Sequence, residues 1–362
     1  MIFNSILKFS QEKLNYLYEN SLFLQSIDKL IFISILAVFI SSTVLSSDGI
    51  GFIALITIFL TLLKVLTKRG EKFEPNHFEI WLLVYFMIVV ISLAGSTLFA
   101  LSFKGFMKTV TYLGFYISVV HYLKNNRDKL PYLLGTIGIC AAFESITGIL
   151  QNFAQVQEIS TWQDVTSLNP EEVMTRVYGT LKPYNPNLLG GYFVASIPAL
   201  FGMAGYFLIS KKNIPAIITG VLTLFSVAAL FLTGCRGSYI GCMVIFCGIF
   251  AVSAKYLWKN YKNIYLSIVG SVITLAMAAI LLVSSLRARV LSIFAMRQDS
   301  SNSFRFNVYQ SSFQMAKDNW LLGIGVGNKN FREIYGLYMK TGFDALRAYN
   351  IFLETAVESG IF

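Results

Sequence analysis

Long apolar runs separated by short polar breaks set the pattern of this chain. Runs of about 17 to 24 mostly apolar residues lie near 30–47, 50–66, 80–98, 106–123, 131–153, 188–209, 214–233, 238–257 and 264–285, and another begins near 348. A run of that length, wound as a helix, crosses a hydrocarbon core of ~30 Å. The pattern predicts an all-α, polytopic membrane helical bundle of about ten or more transmembrane helices, the last truncated where the chain stops at Phe362. Residues 1–29 read as an N-terminal interfacial segment that mixes Ile2, Phe3, Ile6, Leu7, Leu14 and Leu17 with Lys8, Lys13 and Asp28. The first long apolar run starts late and no A-x-A-type site follows it, so this is not a signal peptide. Residues 30–285 then form a nine-span bundle with an outer loop at about 154–187, residues 286–347 a large extracytoplasmic loop, and residues 348–362 the start of a tenth span.

Composition agrees. Of 362 residues, 55% are hydrophobic and 13% charged, where soluble domains average roughly 25% charged. The lipid bilayer is the expected partner, and nucleic acid is not. The cysteines Cys140, Cys235, Cys242 and Cys247 fall in or beside apolar runs without a C-x-x-C pair. The histidines, His77 and His121, are far apart. No zinc or iron site has enough ligands, and neither metal nor cofactor is expected.

Lysines and arginines in short loops mark the cytoplasmic side. Lys68, Arg69 and Lys72, then Lys124, Arg127 and Lys129, then Lys211 and Lys212, then Lys255, Lys259 and Lys262 all fall on one face if each run crosses once. Lys8, Lys13 and Lys29 join them. The chain is therefore expected in the plasma (inner) membrane as a multi-pass protein, with a cytoplasmic N-terminus and an extracytoplasmic large loop.

A few cations remain on the opposite face: Lys104, Lys108, Arg176, Lys182 and Arg236. The loop 286–347 adds nine, namely Arg287, Arg289, Arg297, Arg305, Lys317, Lys329, Arg332, Lys340 and Arg347, against the four acids Asp299, Asp318, Glu333 and Asp344. Such an excess suits an anionic ligand. Lys104 and Lys108 share a helix face. In "LTGCRGSYIG" (232–241), Arg236 stands in a tight turn beside the first N–H groups of the next helix. An arginine at a helix N-terminus suits a phosphate group, and flanking glycines let a ligand approach. The alternative is that these cations snorkel to lipid phosphates.

Other polar positions interrupt the apolar pattern. In "RVYGTLKPYNPNLLGGYF" (176–193), prolines and asparagines mark a turn before a span. Asn187 is a candidate helix cap. A functional reading puts Tyr184, Asn185 and Asn187 at the mouth of a polar site; a plain loop-to-helix entry is the alternative. Glu144, inside the fifth run, is an intramembrane carboxylate, and pairing with a cation such as Arg236, proton carriage and an ion path are its candidate roles. Residues 300–320 read as an amphipathic helix with Phe306, Tyr309, Phe313 and Ala316 on one face and Arg305 off it. "LLGIGVGNKNF" (321–331) lacks the strand of a dinucleotide fingerprint and reads as a tight turn between surface helices. Tyr349, Asn350 and Glu354 are the polar groups entering the last run, and the latter two, one turn apart, cap or pair with each other if they are structural.

Taken together, "YNPNLLGGY", "TGCRGSY", "DNWLLGIGVGN" and "AYNIFLE" resemble the O-antigen ligase/polymerase superfamily, over most of the chain from about residue 100. "SSNSFRFNVYQ", "LYMKTGFDALRAYN" and "ETAVESG" resemble its inorganic-carbon (bicarbonate) transporter branch. The resemblance implies a multi-span helical fold and metal-independent transfer or polymerisation of an undecaprenyl-pyrophosphate-linked glycan onto an acceptor glycan or glycolipid at the outer face. It implies Arg236 and Arg305 as the arginines that neutralise the departing pyrophosphate; Lys104 and Lys108 are candidates by charge and spacing alone. The family's histidine before the asparagine is here Tyr349, a poor general base with an ordinary pKa of ~10. Tyr349, Asn350 and Glu354 are then the candidate catalytic residues: either another group, such as Glu354, takes the proton, or substitution proceeds with little base help. Transport of bicarbonate or another small anion is the alternative.

Overall fold

The computed structural model describes residues 2–154, 176–294 and 300–360, with side chains in the N-terminal helix from Leu7 onward. Residues 155–175 of the expected outer loop, Arg297, Asp299 and the side chains of Ile2, Phe3 and Ile6 lie outside the described residues. The described residues are helical, with no strand among them. In order the helices are α1 (Ile2–Asn20), α2 (Leu22–Gln25), α3 (Ile27–Ser41), α4 (Ser47–Thr67), α5 (His77–Gly95), α6 (Phe99–Asn125), α7 (Leu130–Phe153), α8 (Pro186–Ile209), α9 (Asn213–Leu232), α10 (Arg236–Leu282), α11 (Ser284–Leu291), α12 (Ser300–Asp318), α13 (Asn328–Tyr335) and α14 (Ile351–Ser359).

Among the described residues, seven helical segments are long and apolar enough to cross a membrane. Two of the nine expected runs fall short of that standard. The first is α3, whose 15 residues reach only ~22 Å at 1.5 Å per residue. The second is α6, 27 residues long but diluted by Lys104, Lys108, Thr109, Thr111, Tyr112, Ser118 and His121. The eighth and ninth runs share one helical assignment, α10, yet the chain doubles back within it. The Tyr265 hydroxyl donates to the Phe250 carbonyl at 2.8 Å, 15 residues away, a separation of ~22 Å in a straight helix. Arg236–Tyr256 and Tyr265–Leu282 are thus two apolar segments, as the sequence pattern divides them.

The chain divides into two compact units. The first comprises Met1–Val38, Ile50–Arg127 and Arg297–Phe362; the second comprises Phe39–Gly49 and Asp128–Met296. The expected large loop is therefore shared between them, with α11 in the second and α12 and α13 in the first.

In the first unit, Val308, Met315, Ala316, Ile324, Phe331, Tyr335, Ala348 and Val357 form a buried cluster. This corrects the expected apolar face of α12. Val308 and Met315 are fully buried while Phe313 is 66% exposed. A shift of one position turns a helical face by ~100°, and Ser311, Ser312 and Ala316 are buried along with Val308 and Met315 on the helix that packs against α14. Helix α5 opens with a capping box: Asn76 Oδ1 accepts from Glu79 N at 2.8 Å and Glu79 Oε2 accepts from Asn76 N at 2.6 Å, satisfying two N–H groups of the helix start.

In the second unit, Val177, Leu181, Leu189, Phe193, Ile197, Ala229, Leu230, Tyr239, Cys242 and Leu286 pack together. They join α8, α9, α10 and α11 to the segment 177–181. Helices α7 and α9 are bridged by Ser145 and Ser226, whose hydroxyls lie 2.8 Å apart. Gly190 permits a close approach, since a Cβ there would meet the Ser238 Oγ at 2.5 Å.

Candidate functional site

In the second unit, the turn between α9 and α10 gathers three arginines. Gly234 sits at φ +62°, where glycine is favoured, and a Cβ there would lie 3.1 Å from Arg176 Nε. Arg176 Nε donates to the Thr233 carbonyl at 2.8 Å, and its Nη2 donates to Asn187 Oδ1 at 2.8 Å. Arg289 Nε donates to the Gly234 carbonyl at 2.8 Å. Arg236 opens α10, and its Nη1 donates to the Ser292 carbonyl at 3.2 Å and hydroxyl at 3.1 Å. Within the four-residue turn 233–236, Thr233 and Gly234 each accept from a guanidinium and Arg236 carries a third.

A surface hairpin would leave Arg236 open to solvent, yet Arg236 and Arg289 are each only 9% exposed. The reason is the turn after α11, which places Ser292 against the Arg236 guanidinium. Charge excess flags Arg289 and Arg176 as outer-face cations but does not single them out. No sequence signal points to Ser292.

The segment 176–185 is held from below by α7. Glu144 is fully buried. Its Oε2 accepts the Thr180 N–H at 2.9 Å, and its Oε1 contacts the Thr180 hydroxyl. That hydroxyl also donates to the Thr43 carbonyl at 2.6 Å. Gln151 accepts from the N–H groups of Tyr178 and Gly179 at 3.1 and 2.9 Å and donates to the Gly179 carbonyl at 3.1 Å. Both Glu144 oxygens thus engage Thr180, and its shown contacts are to this segment rather than to Arg236. Helix α8 is capped by Asn185, not Asn187: Asn185 Oδ1 accepts from Asn187 N at 2.8 Å. Asn187 is instead Arg176's acceptor. Tyr184, 42% exposed at φ 57°, stacks edge-on against Tyr178 with centroids 6.0 Å apart.

The remaining candidates fall in the first unit. The glycine-rich segment before α13 ties α14 to α5 and α6. Ile324 N and Gly325 N donate to the carbonyls of Val357 and Glu358 at 2.9 and 3.0 Å. Gly327 N donates to Glu358 Oε1 at 2.9 Å. Ser96 donates to the Ile324 carbonyl at 2.7 Å. A Cβ on Gly105 of α6 would lie 2.3 Å from the Val326 carbonyl. The alternating glycines thus serve close packing, and the segment is buried at Ile324 and Val326 rather than a surface turn. Lys104 and Lys108 are exposed and flank Gly105 on α6. Arg305 is half-buried on α12.

Asn350 is the N-cap of α14, its Oδ1 accepting from Phe352 N and Leu353 N at 3.0 and 3.2 Å. That settles its side-chain oxygen as structural. Tyr349 is 41% exposed at φ 54°, an uncommon conformation for a bulky residue. Its ring packs edge-on to Phe304 at 6.0 Å, and its carbonyl accepts from the Tyr309 hydroxyl at 3.3 Å. Glu354 is half-buried one turn into α14.

In comparison with known proteins, the O-antigen ligase family model aligns with residues 221–362. No curated protein and no solved structure matches. The matched region contains Arg236, Arg289, Arg305, Tyr349, Asn350 and Glu354; Lys104, Lys108, Glu144, Arg176, Tyr184, Asn185 and Asn187 precede it. The match does not show the bicarbonate-transporter branch. Residues 221–362 are thus similar to the O-antigen ligase family, in a chain that folds as a multi-pass helical membrane protein.

Proposed function

We propose that the protein transfers or polymerises an undecaprenyl-pyrophosphate-linked glycan onto an acceptor glycan or glycolipid at the outer face of the plasma membrane. The observation that carries this reading is the gathering of Arg176, Arg236 and Arg289 around residues 233–236. In such a transfer an acceptor hydroxyl oxygen bonds to the anomeric carbon. The bond from that carbon to the pyrophosphate oxygen breaks, and the pyrophosphate leaves with the electron pair. Negative charge grows on the leaving oxygen, and fixed guanidinium groups in a water-poor site stabilise it more than water does. Arg305, by the resemblance, and Lys104 and Lys108, by their charge, are further candidate cations for the glycan-linked pyrophosphate.

The acceptor's proton goes to a base. Glu354, the carboxylate one turn into α14, is the proposed base. Tyr349 and Tyr184 present exposed rings suited to sugar faces.

The test is complementation of a deletion strain. Wild-type protein should restore surface polysaccharide, while Arg236→Ala should leave it absent and let lipid-linked intermediates build up. Restoration by Arg236→Ala, or an unchanged glycan in the deletion strain with loss of bicarbonate uptake into vesicles, would overturn the reading.

A further inference from the structure

We infer that a polar cavity at the lysine-rich end of the first unit binds a phosphate group, carried either by a phospholipid head group or by a soluble phosphate. The cavity has a volume of about 500 Å³, within the range of small-molecule sites. It lies among the start of α3, the ends of α4 and α6, and the α4–α5 loop.

Its floor is a closed ion network. Lys64 is 2% exposed, its Nζ 2.8 Å from Asp28 Oδ1 and 3.1 Å from Glu71 Oε1. Glu71 Oε1 also meets His121 Nε2 at 3.0 Å and accepts from Asn125 Nδ2 at 3.1 Å. Lys68 reaches Asp28 Oδ2 at 3.4 Å and Glu71 Oε2 at 3.8 Å. Two lysines thus balance two carboxylates. Gln11 of α1 fixes the loop from outside: its Nε2 donates to the Glu71 carbonyl at 2.8 Å and its Oε1 accepts from Gly70 N at 3.3 Å.

The rim carries the excess charge. Lys72 and Lys124 stand exposed there beside a single acid, Glu74. Lys124 gives one bond to the Glu74 carbonyl at 2.5 Å; an ammonium has three donors. An apolar ligand does not suit a lining of charged side chains and amides. A cation does not suit it either, because Asp28 and Glu71 are already engaged by lysines. The C-terminal ends of α4 and α6 oppose an anion, and Lys64 and Lys124 in their last turns offset that field. What fits is a compact anion with several acceptor oxygens, for which lysines act as point charges. The apolar run of α4 ends at Thr67 and the rim begins at Lys68, the level at which lysines meet head groups. Membrane and water therefore both give access.

The full chain, purified in detergent, is titrated with inorganic phosphate against chloride at matched ionic strength. In parallel it is placed in phosphatidylcholine nanodiscs with or without phosphatidylglycerol. Melting temperature is read in both arms, and retained lipid by native mass spectrometry in the second. The wild type should be stabilised in at least one arm: phosphate alone identifies a soluble ligand, phosphatidylglycerol alone a head group. Lys72→Glu with Lys124→Glu should weaken the response at least about tenfold, while Lys8→Glu should keep it. No stabilisation in either arm overturns the inference. So does an unchanged response in the rim double variant, or an equal loss with Lys8→Glu.

Discussion

Glu144 offers a prediction whose outcome follows from counting protons. The Thr180 hydroxyl faces two acceptors, the Thr43 carbonyl and Glu144 Oε1. A hydroxyl has one proton. The Thr43 carbonyl has none to give, so the prediction puts the Thr180 proton there and has Glu144 donate to Thr180 Oγ1. Its other oxygen accepts the Thr180 N–H at 2.9 Å. Glu144→Gln reproduces that arrangement, with its amide N–H₂ as donor and its carbonyl as acceptor. Its cost should stay within about 1 kcal/mol. Glu144→Ala leaves a buried N–H unmatched and a void, at about 2–4 kcal/mol. For a unit of this size that lowers the melting temperature by roughly 5–15 °C, readable by fluorescence-detected unfolding of the purified protein in detergent. Glycan transfer should follow the same order, because segment 176–181 seats Arg176. An equal loss in the two variants would sink the proton count. No loss in Glu144→Ala would sink the idea that Glu144 holds this segment.

Three further outcomes follow. Burial alone would push the Glu71 carboxyl up, but the His121 hydrogen bond and the Lys64 charge pull it down to about 2, below its usual ~4.3. Its stabilising contribution is complete above the unfolded value and lost as pH falls toward about 2; melting temperature against acid pH should flatten in Glu71→Gln, and an unchanged slope would refute the assignment. Gly234→Ala forces φ +62° on a side chain at about 1–2 kcal/mol and displaces Arg176, so transfer should fall more than the melting temperature; normal transfer in a folded variant would count against the arginine turn. Asn350→Ala removes the α14 cap and should cost about 1 kcal/mol, with Asn350→Ser recovering most of it; no change in melting temperature would show the cap to be idle.

Much of the helical layout was legible, because a long apolar run in a mostly uncharged chain has few solutions other than a spanning helix. Span limits agreed to within a few residues for 131–153 and Leu130–Phe153, or 214–233 and Asn213–Leu232. Short α3 and polar α6 were less legible, since a window of mean apolarity does not reveal where a turn such as 42–46 cuts a run. The arginine turn was visible as one misplaced charge. Its partners Arg176 and Arg289 were not, as they lie 60 and 53 positions from Arg236 and only tertiary folding brings them to residues 233–236. Glu144 stood out as a buried carboxylate, yet its Thr180 partner came from a segment with no periodic pattern. The α12 face was misjudged because aromatic residues mark apolarity, whereas the face buried on this helix includes small ones.

The most direct measurement of the central claim is release of undecaprenyl pyrophosphate by the purified protein, supplied with an undecaprenyl-pyrophosphate-linked saccharide and an acceptor glycan. Wild-type protein should release it in step with acceptor elongation. Arg236→Lys and Arg289→Lys, each folded with a near-normal melting temperature, should be slowed about 100-fold or more in kcat, the effect of losing one transition-state donor. Release at the wild-type rate by both variants, or no release by the wild type with a competent donor and acceptor, would contradict it.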